Sequence, residues 1–548
     1  MKKYLFIALA ALGFAACAEK GEENIPAQNG ELEQSYVSIT LASDDMGTRA
    51  KDELPDSNDD FDLGTEAERK VHSAHVFFFK DGIAFPVKFE DGTTTNAGTL
   101  NYISVNLGAT TGSSDPINVS DIKNAVLVIQ KYKGEYPNQM MVVLNWTPKN
   151  EPYTLSALQS EIASSVQETT GFVMSNSVYC DFNNQVVDAV AITENNIGKT
   201  EAEALDNPVT IYVERVAAKV AFSATNDGKF DTGETITVKN ALDPDNGATE
   251  TKVYAQIKGF ELFNYYTDSY LVKRINKDWG GTQFGFTNWN HPEYFRSYWA
   301  ISETKAFVNN TFKWNNDFAQ VNEADLNKWV YCGENTNRDA ANRSKVIVKA
   351  QLVDENNQPV EVANWYGNDY ITEGKLKDVV ANTLNRKYYS STDGSHFDGI
   401  TPDDLKCVRT EPGDDAADSY YVYFQLSTPG ALKTWYKYEA GAYTPIEDDA
   451  LDAELKNVEK ALLYKNGRTY YWLDIKHFGA KDSDTEFGVV RNHLYKVNIT
   501  GVKGFGTPVY DPTEDFIVPD KPEDIETYVS AQINILSWRL VENNYELK

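Results

Sequence analysis

The chain of 548 residues is poor in the side chains that bind metals or carry out thiol chemistry, with four cysteines and six histidines. Cys180, Cys332 and Cys407 are far apart and form no CxxC pair, which excludes zinc and redox motifs of that type. At most one disulfide can join them, and buried free thiols are the expected state. His72 and His75 are three residues apart on a predicted strand, where they would face opposite sides, so a shared metal is not expected.

Positive charge is also scarce. Lysine and arginine number 51 against 81 aspartates and glutamates, a net charge of −30. This balance excludes nucleic acid and anionic membrane surfaces as partners, because both need a basic face. The sequence contains no nucleophile elbow, P-loop or dinucleotide fingerprint. We therefore expect no enzymatic activity, no cofactor and no metal.

Long hydrophobic runs are absent except near the start. Residues 4–14 are apolar, follow Lys2 and Lys3, and are too few to span a bilayer. The small residues before Cys17 resemble a bacterial lipobox, in which the cysteine becomes the lipidated N-terminus. The sequence predicts a signal peptide over 1–16 and lipidation at Cys17. The alternative is an ordinary signal peptide cut after Ala16, with an incidental cysteine.

Aromatic residues are abundant, with 32 Tyr, 26 Phe and 10 Trp. This composition favours strands and large cores. Near the start, Val37, Ile39 and Leu41 alternate with polar residues, which predicts a half-buried strand. Similar patterns recur along the chain, and we expect a mainly all-β protein with a few short helices.

Two helices and one domain boundary follow from hydrophobic spacing. Apolar residues three and four apart predict helices over 154–169 and 450–464, with Asn466-Gly467 stopping the second. A boundary is expected near Asn207-Pro208. Beyond it, the alternation changes phase between Val213 and Val216, which indicates a bulge or a corner.

The chain end is unusual because a strong strand pattern follows a linker rich in proline and acid at 511–524. Its alternating residues are Val529, Ala531, Ile533 and Ile535, after which Trp538 and Leu540 continue with the phase shifted by one. The shift predicts a bulge near Ile535-Leu536. Such a strand either folds into its own sheet or adds to the sheet edge of another subunit.

Three segments resemble the fimbrillins of Bacteroidales, the type V pilins, and most of all the major shaft subunit of the short fimbriae. They are 209–220 (VTIYVERVAAKV), 491–497 (RNHLYKV) with 504–508 (GFGTP), and 533–547. The resemblance implies two transthyretin-like β-sandwich domains and a C-terminal donor strand.

The resemblance also implies a maturation step. An Arg-specific protease cuts behind the first strand, and Arg49, the first arginine in the chain, matches that position and leaves Ala50 as the new N-terminus. Removal of 17–49 takes away the lipid and the resident strand of Val37, Ile39 and Leu41. The open groove would accept a neighbour's C-terminal strand, whose donor residues here are Val529, Ala531, Ile533, Ile535, Trp538 and Leu540.

These expectations divide the chain into a signal peptide (1–16), a lipidated propeptide (17–49), an N-terminal domain (50–206), a C-terminal domain (207–520), and a linker with the donor strand (521–548). The predicted function is that of a surface fimbrial shaft subunit in adhesion and biofilm formation, reached through the periplasm and outer membrane. Its expected partners are copies of itself, tip and anchor subunits, the protease, and host or bacterial surface ligands. The alternatives are an anchor or tip subunit, or a surface glycan-binding lipoprotein.

Overall fold

A computed structural model describes the backbone of the following residues: 34–42, 65, 67–87, 89–90, 95–96, 100–106, 117–118, 125–130, 135–165, 171–180, 185–238, 249–275, 307–308, 314, 319–320, 328–337, 339–410, 421–430, 433–477, 486–513, 528–536 and 542–544.

The N-terminal region is built on one large sheet. The described strands of three or more residues in this region are β1 (Gln34–Ala42), β2 (Ser73–Lys80), β3 (Tyr102–Asn106), β4 (Ala125–Gln130), β5 (Gln139–Leu144), β6 (Ile162–Ser164), β7 (Met174–Asn176) and β8 (Val209–Arg215), and all but β6 belong to the large sheet. Its helices are α1 (Leu155–Gln159) and α2 (Glu201–Asp206). In the sheet, β1, β8, β7, β5 and β2 are neighbours in that order, with β4 on the free edge of β1 and β3 also paired to β2.

Both faces of this sheet are covered. In β2, Val76 and Phe78 lie in one core while Phe77 and Phe79 lie in another. All four are no more than 5% exposed. A strand buried on both faces is a continuous apolar run, which explains the unbroken sequence Val-Phe-Phe-Phe.

The chain leaves this sheet abruptly. Val216, Ala217 and Ala218 are consecutive and fully buried, yet each belongs to a different hydrophobic cluster. The phase change expected here from the sequence is thus the crossing from one sheet to the next. The crossing lies beyond the predicted boundary near Asn207, because β8 finds its hydrogen-bond partners in the first sheet. The division into domains remains a prediction.

The C-terminal framework is a sandwich of two sheets. It begins with β9 (Ala218–Ala224), β10 (Lys229–Val238), β11 (Thr249–Phe263), β12 (Asp268–Tyr270), β13 (Lys328–Cys332) and β14 (Lys345–Val353).

An inserted region interrupts this sandwich. Its elements are β15 (Val362–Trp365), β16 (Asn368–Ile371), α3 (Glu373–Leu384), β17 (Tyr388–Ser391), β18 (Leu405–Arg409), β19 (Tyr421–Leu426), β20 (Thr434–Glu439), β21 (Ala442–Ile446), α4 (Asp448–Lys456) and β22 (Ala461–Tyr464). They form one sheet in the order β16-β15-β22-β19-β18 and a second containing β17, β20 and β21, with a core of their own.

The framework then resumes with β23 (Arg468–Asp474), β24 (Leu494–Lys503), β25 (Tyr528–Leu536) and β26 (Glu542–Asn544). One sheet of the sandwich runs β13-β9-β24-β25-β26 and the other contains β10, β11, β14 and β23. Buried residues from both sheets, such as Phe222, Phe260 and Tyr495, share one core. The expected all-β class with few helices is confirmed.

The first predicted helix is much shorter than expected. It ends at Gln159, and Ile162, which the spacing placed on the same helix, instead lies on β6. That strand pairs with β12, with Ile162 opposite Tyr270. A partner far along the chain outweighed the local periodicity, as tertiary pairing often does. Val166 lies outside the described residues.

The second predicted helix is also divided. Leu451 and Leu455 are buried on α4 as expected, but the helix ends at Lys456, and Leu462 lies on β22 between β15 and β19. Asn466 and Gly467 do not stop a helix. They have φ of 55° and 70° and turn the chain from β22 into β23, as an Asn-Gly pair does between strands.

Two smaller expectations have outcomes here. Cys332 and Cys407 are free and buried, as expected. Ile535 and Leu536 pair in register with Tyr495 and Leu494, and the residues directly after Leu536, on which the expected bulge also depends, lie outside the described residues. An irregularity does lie on the partner strand β24, between Ile499 and Gly501. Among the described residues, no helix is long and apolar enough to cross a membrane.

Candidate functional site

The first candidate site is the slot that β1 occupies in the N-terminal sheet. On one edge β1 runs antiparallel to β4, from Gln34 opposite Gln130 to Ile39 opposite Ala125. On the other edge it meets the short strand Ile197–Gly198 and then runs parallel to β8, with Ile39 opposite Val209. Both edges of β1 are therefore hydrogen-bonded to strands that come much later in the chain.

The slot opens into a hydrophobic core. Val37 is fully buried among Val209, Ile211 and Phe172. Taking β1 away would expose this core and leave two strand edges, on β4 and β8, with unpaired N–H and C=O groups. The predicted resident strand is thus an internal strand of the sheet.

The second candidate site is the C-terminal strand pair. Strand β25 runs antiparallel to β24, with Val529 opposite Val502, Ile533 opposite Val497 and Ile535 opposite Tyr495. On its outer edge β25 meets the short strand β26. In the single chain, the predicted donor strand therefore lies in the chain's own sheet, one of the two destinations that the sequence left open.

The structure does not describe several predicted site residues. Cys17, Arg49 and Ala50 lie outside the described residues, as do Trp538 and Leu540 of the donor strand. Their roles in lipidation, cleavage and donation stay predictions.

A third feature, the contact between the two regions, was not predicted from the sequence. The segment before β24 reaches back to the crossing at Val216-Ala217. The N–H of Asn492 donates to the carbonyl of Ala217 at 2.7 Å, and that of Lys219 donates to the carbonyl of His493 at 3.0 Å. Asn492 has φ of 58°, a left-handed conformation that asparagine tolerates well. The conspicuous segment RNHLYKV is therefore part of the joint between the regions.

One side of this joint is a buried carboxylate. Glu68, before β2, is fully buried and accepts hydrogen bonds from Lys219 Nζ at 2.7 Å and from the hydroxyl of Tyr331. Its backbone carbonyl accepts from Arg215 Nε at 2.9 Å. Burial raises the pKa of Glu68, but the hydrogen bonds from Lys219 and Tyr331 outweigh burial and leave the pKa below its usual value. A fully paired charge thus links the two regions.

The other side is built around Arg491, which is fully buried. Its guanidinium donates to Glu334 at 2.7 Å and to the carbonyls of Tyr270 and Leu271 at 2.6 and 3.2 Å. Breaking such a pair leaves an uncompensated buried charge, which is strongly destabilising.

Glu214 on β8 faces the same cluster but, unlike Arg491, makes no side-chain hydrogen bond. It is 2% exposed, and neither carboxylate oxygen has a hydrogen-bond partner. Burial raises its pKa to about 7, although the positive charges of Lys273 and Arg491 act in the opposite direction. Lys273 is itself buried, which lowers its pKa. The strand that borders the β1 slot thus also carries an unsatisfied acid at the joint.

A sequence signal for the joint did exist. Charged residues interrupt two apolar strand patterns, at Glu214-Arg215 and at Arg491. A charge inside an apolar run is rarely buried unless it is paired. The pattern predicts burial with partners, but not which partners, since Glu68 and Glu334 are far away in the sequence.

The described residues contain no group of three or more His, Cys, Asp or Glu side chains arranged to hold a metal ion. His75, one of the two histidines of the H-x-x-H pair, is buried, and its Nδ1 lies 2.9 Å from the hydroxyl of Ser104. Burial lowers its pKa to about 4.

Residues 462–544 match the family model of the major fimbrial subunit protein type IV, fimbrillin, C-terminal. The C-terminal strands are similar to those of fimbrillins. The match runs from β22 through β26 and includes the joint segment and the predicted donor strand. It confirms the fimbrillin resemblance for this part of the chain. The family's description names a fimbrial subunit, in agreement with the expectation that the protein is not an enzyme.

Solved structures that the chain matches include a fimbrilin of Porphyromonas gingivalis, at 13% identity over 93% of this chain and 98% of that one, with a TM-score of 0.35. A tip fimbrial protein of the same organism matches at 12% identity over 92% and 100%, with a TM-score of 0.29. A fimbrial assembly protein of Parabacteroides distasonis matches at 10% identity over 62% and 85%, with a TM-score of 0.26. Comparison with curated proteins gave no match.

Proposed function

We propose that this protein is a shaft subunit of a cell-surface fimbrium. It is exported as a lipoprotein, cleaved after Arg49, and polymerised when the C-terminal strand of one copy replaces β1 of the next. The observation that carries the proposal is the position of β1, an N-terminal strand held between β4 and β8 and followed shortly by the first arginine of the chain. The fimbrillin match over the C-terminal strands supports it.

The first step is release of β1. While β1 is part of the chain it competes at a high effective concentration, so an external strand cannot displace it. Cleavage after Arg49 makes β1 a separate peptide that can leave. Cleavage, rather than proximity of subunits, then controls assembly.

The second step is filling of the slot. The two strand edges and the core around Val37 favour an extended segment with apolar residues at alternate positions. The C-terminal segment has this pattern at Val529, Ala531, Ile533 and Ile535. Because β24 keeps β9 as its neighbour on the other edge, β25 can leave without taking a central strand out of the sandwich.

The maturation step is tested with Arg49→Ala, using Arg69→Ala, at the next arginine, as the matched control. Material sheared from cells is analysed by N-terminal sequencing, intact mass and electrophoresis without boiling. We expect the unsubstituted chain and Arg69→Ala to begin at Ala50 and to form ladders, while Arg49→Ala stays lipidated at Cys17 and monomeric. Ladders from uncleaved Arg49→Ala would contradict the proposal.

Strand replacement is tested separately with a cross-link. Ser38 of β1 lies directly opposite Val126 of β4, so Ser38→Cys with Val126→Cys places two cysteines across the ladder. When oxidised, this variant should be cleaved normally but should keep its β1 peptide and not polymerise, and a reductant should restore polymerisation. The single variant Ser38→Cys is the control. Polymerisation with the cross-link intact would refute replacement of β1.

The same experiments separate the alternatives. An anchor subunit would keep Cys17 and its lipid on the surface. A surface glycan-binding lipoprotein would do the same and remain monomeric under every condition.

A further inference from the structure

The inserted region has an aromatic face that the proposed function does not use. On β17 and β20, Tyr388 and Trp435 are buried in the inserted core at 1% and 5% exposure. Their neighbours Tyr389 and Tyr436 lie opposite one another in the ladder, on the other face of the sheet. Further along, Tyr438 lies opposite Tyr443 of β21.

With Phe397, these residues form a continuous set of rings, here called the aromatic platform: Tyr389, Phe397, Tyr436, Tyr438 and Tyr443. Tyr443 is at its centre. Its ring is stacked on Phe397 with centroids 3.9 Å apart and planes 2° apart, and it meets Tyr389 edge-on at 5.0 Å. Tyr438 lies 4.8 Å from it. These mutual contacts hold the rings in fixed orientations, so little side-chain entropy remains to be lost on binding.

The platform faces solvent. Tyr438 and Tyr443 are 38% and 39% exposed, and both are among the few large apolar side chains exposed in the described part of the chain. The β20–β21 hairpin presents them beside a tight turn at Ala440 and Gly441, which have φ of 50° and 84°. An exposed aromatic cluster on a rigid sheet is typical of a binding surface.

Its size argues against a stable protein partner. Strand β20 has six residues, and with two further strands it spans roughly 20 by 10 Å, about 200 Å². A stable protein interface buries about 800 Å² on each partner. The platform is therefore large enough for a few small rings but too small for a docked domain.

Its charges argue against an anionic ligand. Along β20, Lys437 and Glu439 alternate with the platform tyrosines and therefore lie on the other face of the sheet. Asp398 lies opposite Ser390, which is also on that other face. Lys437 is engaged there by Glu439 and Glu454, both at 2.8 Å. The five rings of the platform carry no charge, so a sulfate or carboxylate would find no cation among them.

We propose that the aromatic platform is a binding site for neutral oligosaccharides. The apolar CH face of a pyranose packs on an aromatic ring, and the platform offers two exposed tyrosine rings at a spacing fixed by the ladder. Tyrosine hydroxyls both donate and accept hydrogen bonds, so they match the hydroxyl groups of a sugar. Tyr443 is the central stacking residue, and Tyr438 provides the second ring.

The full chain is titrated with cellotetraose, maltotetraose and lacto-N-neotetraose as neutral probes, and with 3′-sialyllactose and a heparin tetrasaccharide as anionic probes. Binding is followed by saturation-transfer NMR and by tyrosine fluorescence. We expect at least one neutral probe to bind and the anionic probes not to bind. Tyr443→Ala should weaken that binding about tenfold or more, and the double variant with Tyr438→Ala should abolish it.

The matched control is Tyr366→Ala, which removes a tyrosine that is 67% exposed and outside the platform. Thermal unfolding confirms that each variant is folded. The proposal is refuted if no neutral probe binds, or if the double variant binds as the unsubstituted chain does. It is equally refuted if sedimentation shows that Tyr443→Ala abolishes self-association, since the platform would then be a contact between copies. The binding readouts do not depend on cleavage at Arg49.

Discussion

The two end strands of the chain are held in different ways. Strand β1 has β4 along one edge and β8 with Ile197–Gly198 along the other, so it is an interior strand of its sheet. Strand β25 has β24 along one edge, and β26, a strand of three residues, pairs with part of the other. Loss of an interior strand opens a sheet in the middle, whereas loss of an outer strand only moves the edge inward. This difference agrees with the proposal that the β1 slot accepts a strand and that β25 is donated.

The fixed neighbours of these strands differ as well. The joint side of β8 carries Glu214, whose two carboxylate oxygens have no hydrogen-bond partner, while Arg491 before β24 donates from both terminal nitrogens of its guanidinium, to Glu334 and two carbonyls, and only its Nε has no partner. The neighbour of β1 therefore carries a buried acid without hydrogen bonds, whereas the segment before the neighbour of β25 carries a hydrogen-bonded ion pair.

The largest effect should come from removing whole strands. We expect proteolytic removal of 17–49 to raise amide hydrogen exchange strongly in β4 and β8, because both lose a ladder partner. Deletion of 521–548 should raise exchange in β24 alone and leave β4 and β8 as they were. Exchange mass spectrometry measures both. Equal loss of protection across both sheets would show that the two strands do not differ as described.

Arg491→Ala should lower the free energy of unfolding by about 3–5 kcal/mol, because it leaves Glu334 buried without its partner. Urea unfolding followed by tryptophan fluorescence measures the change. The control is Arg386→Ala, at an exposed arginine, where a change within about 0.5 kcal/mol is expected. Similar effects at the two sites would contradict a role for Arg491 in holding the joint.

Glu214→Gln should stabilise the chain at high pH. The pKa of Glu214 is raised to about 7 from a usual 4.5, so between these values the folded state binds more protons than the unfolded state. Stability therefore falls as the pH rises from about 4.5 to 7, by up to about 3 kcal/mol. Glutamine resembles the protonated acid and should remove this fall.

Glu68 is the comparison for Glu214, because its pKa is shifted in the opposite direction, below its usual value. Its lowered pKa means that stability is present above the unfolded pKa and is lost as the pH falls through the folded pKa. Thermal unfolding of Glu68→Gln and Glu214→Gln at pH 3, pH 5 and pH 8 measures both. Glu68→Gln should destabilise about equally at pH 5 and pH 8, which both lie above the unfolded pKa, and less at pH 3. Glu214→Gln should stabilise more at pH 8 than at pH 5. Parallel pH profiles for the two variants would disprove this assignment.

The smallest effect should come from single apolar side chains of the end strands. Val37→Ala should cost the uncleaved chain about 2 kcal/mol, because Val37 is fully buried in the N-terminal core. Ile533→Ala should leave that core unchanged and reduce the yield of polymer after cleavage. Urea midpoints and electrophoretic ladders measure these outcomes. A larger loss of N-terminal stability from Ile533→Ala than from Val37→Ala would reverse the proposed roles.

Local patterns along the sequence determined a good part of this protein. Alternation alone located β1 around Val37 and the body of β25, because a strand with one buried face must alternate. The composition predicted the all-β class. Leu155 and Leu158, three residues apart, located the start of α1, and Leu451 and Leu455, four residues apart, located the body of α4. The spacing did not locate the end of either helix.

Tertiary structure decided the features that local sequence patterns do not encode. Ile162 and Leu462 lie in strands rather than in the predicted helices because strands distant in the sequence pair with them. The crossing between sheets fell after Arg215 because β8 completes its hydrogen bonds in the first sheet. Glu68 pairs with Lys219 across the joint, and Arg491 pairs with Glu334 beside it, because burying a charge requires an opposite charge nearby. Only the folded chain brings such distant residues together.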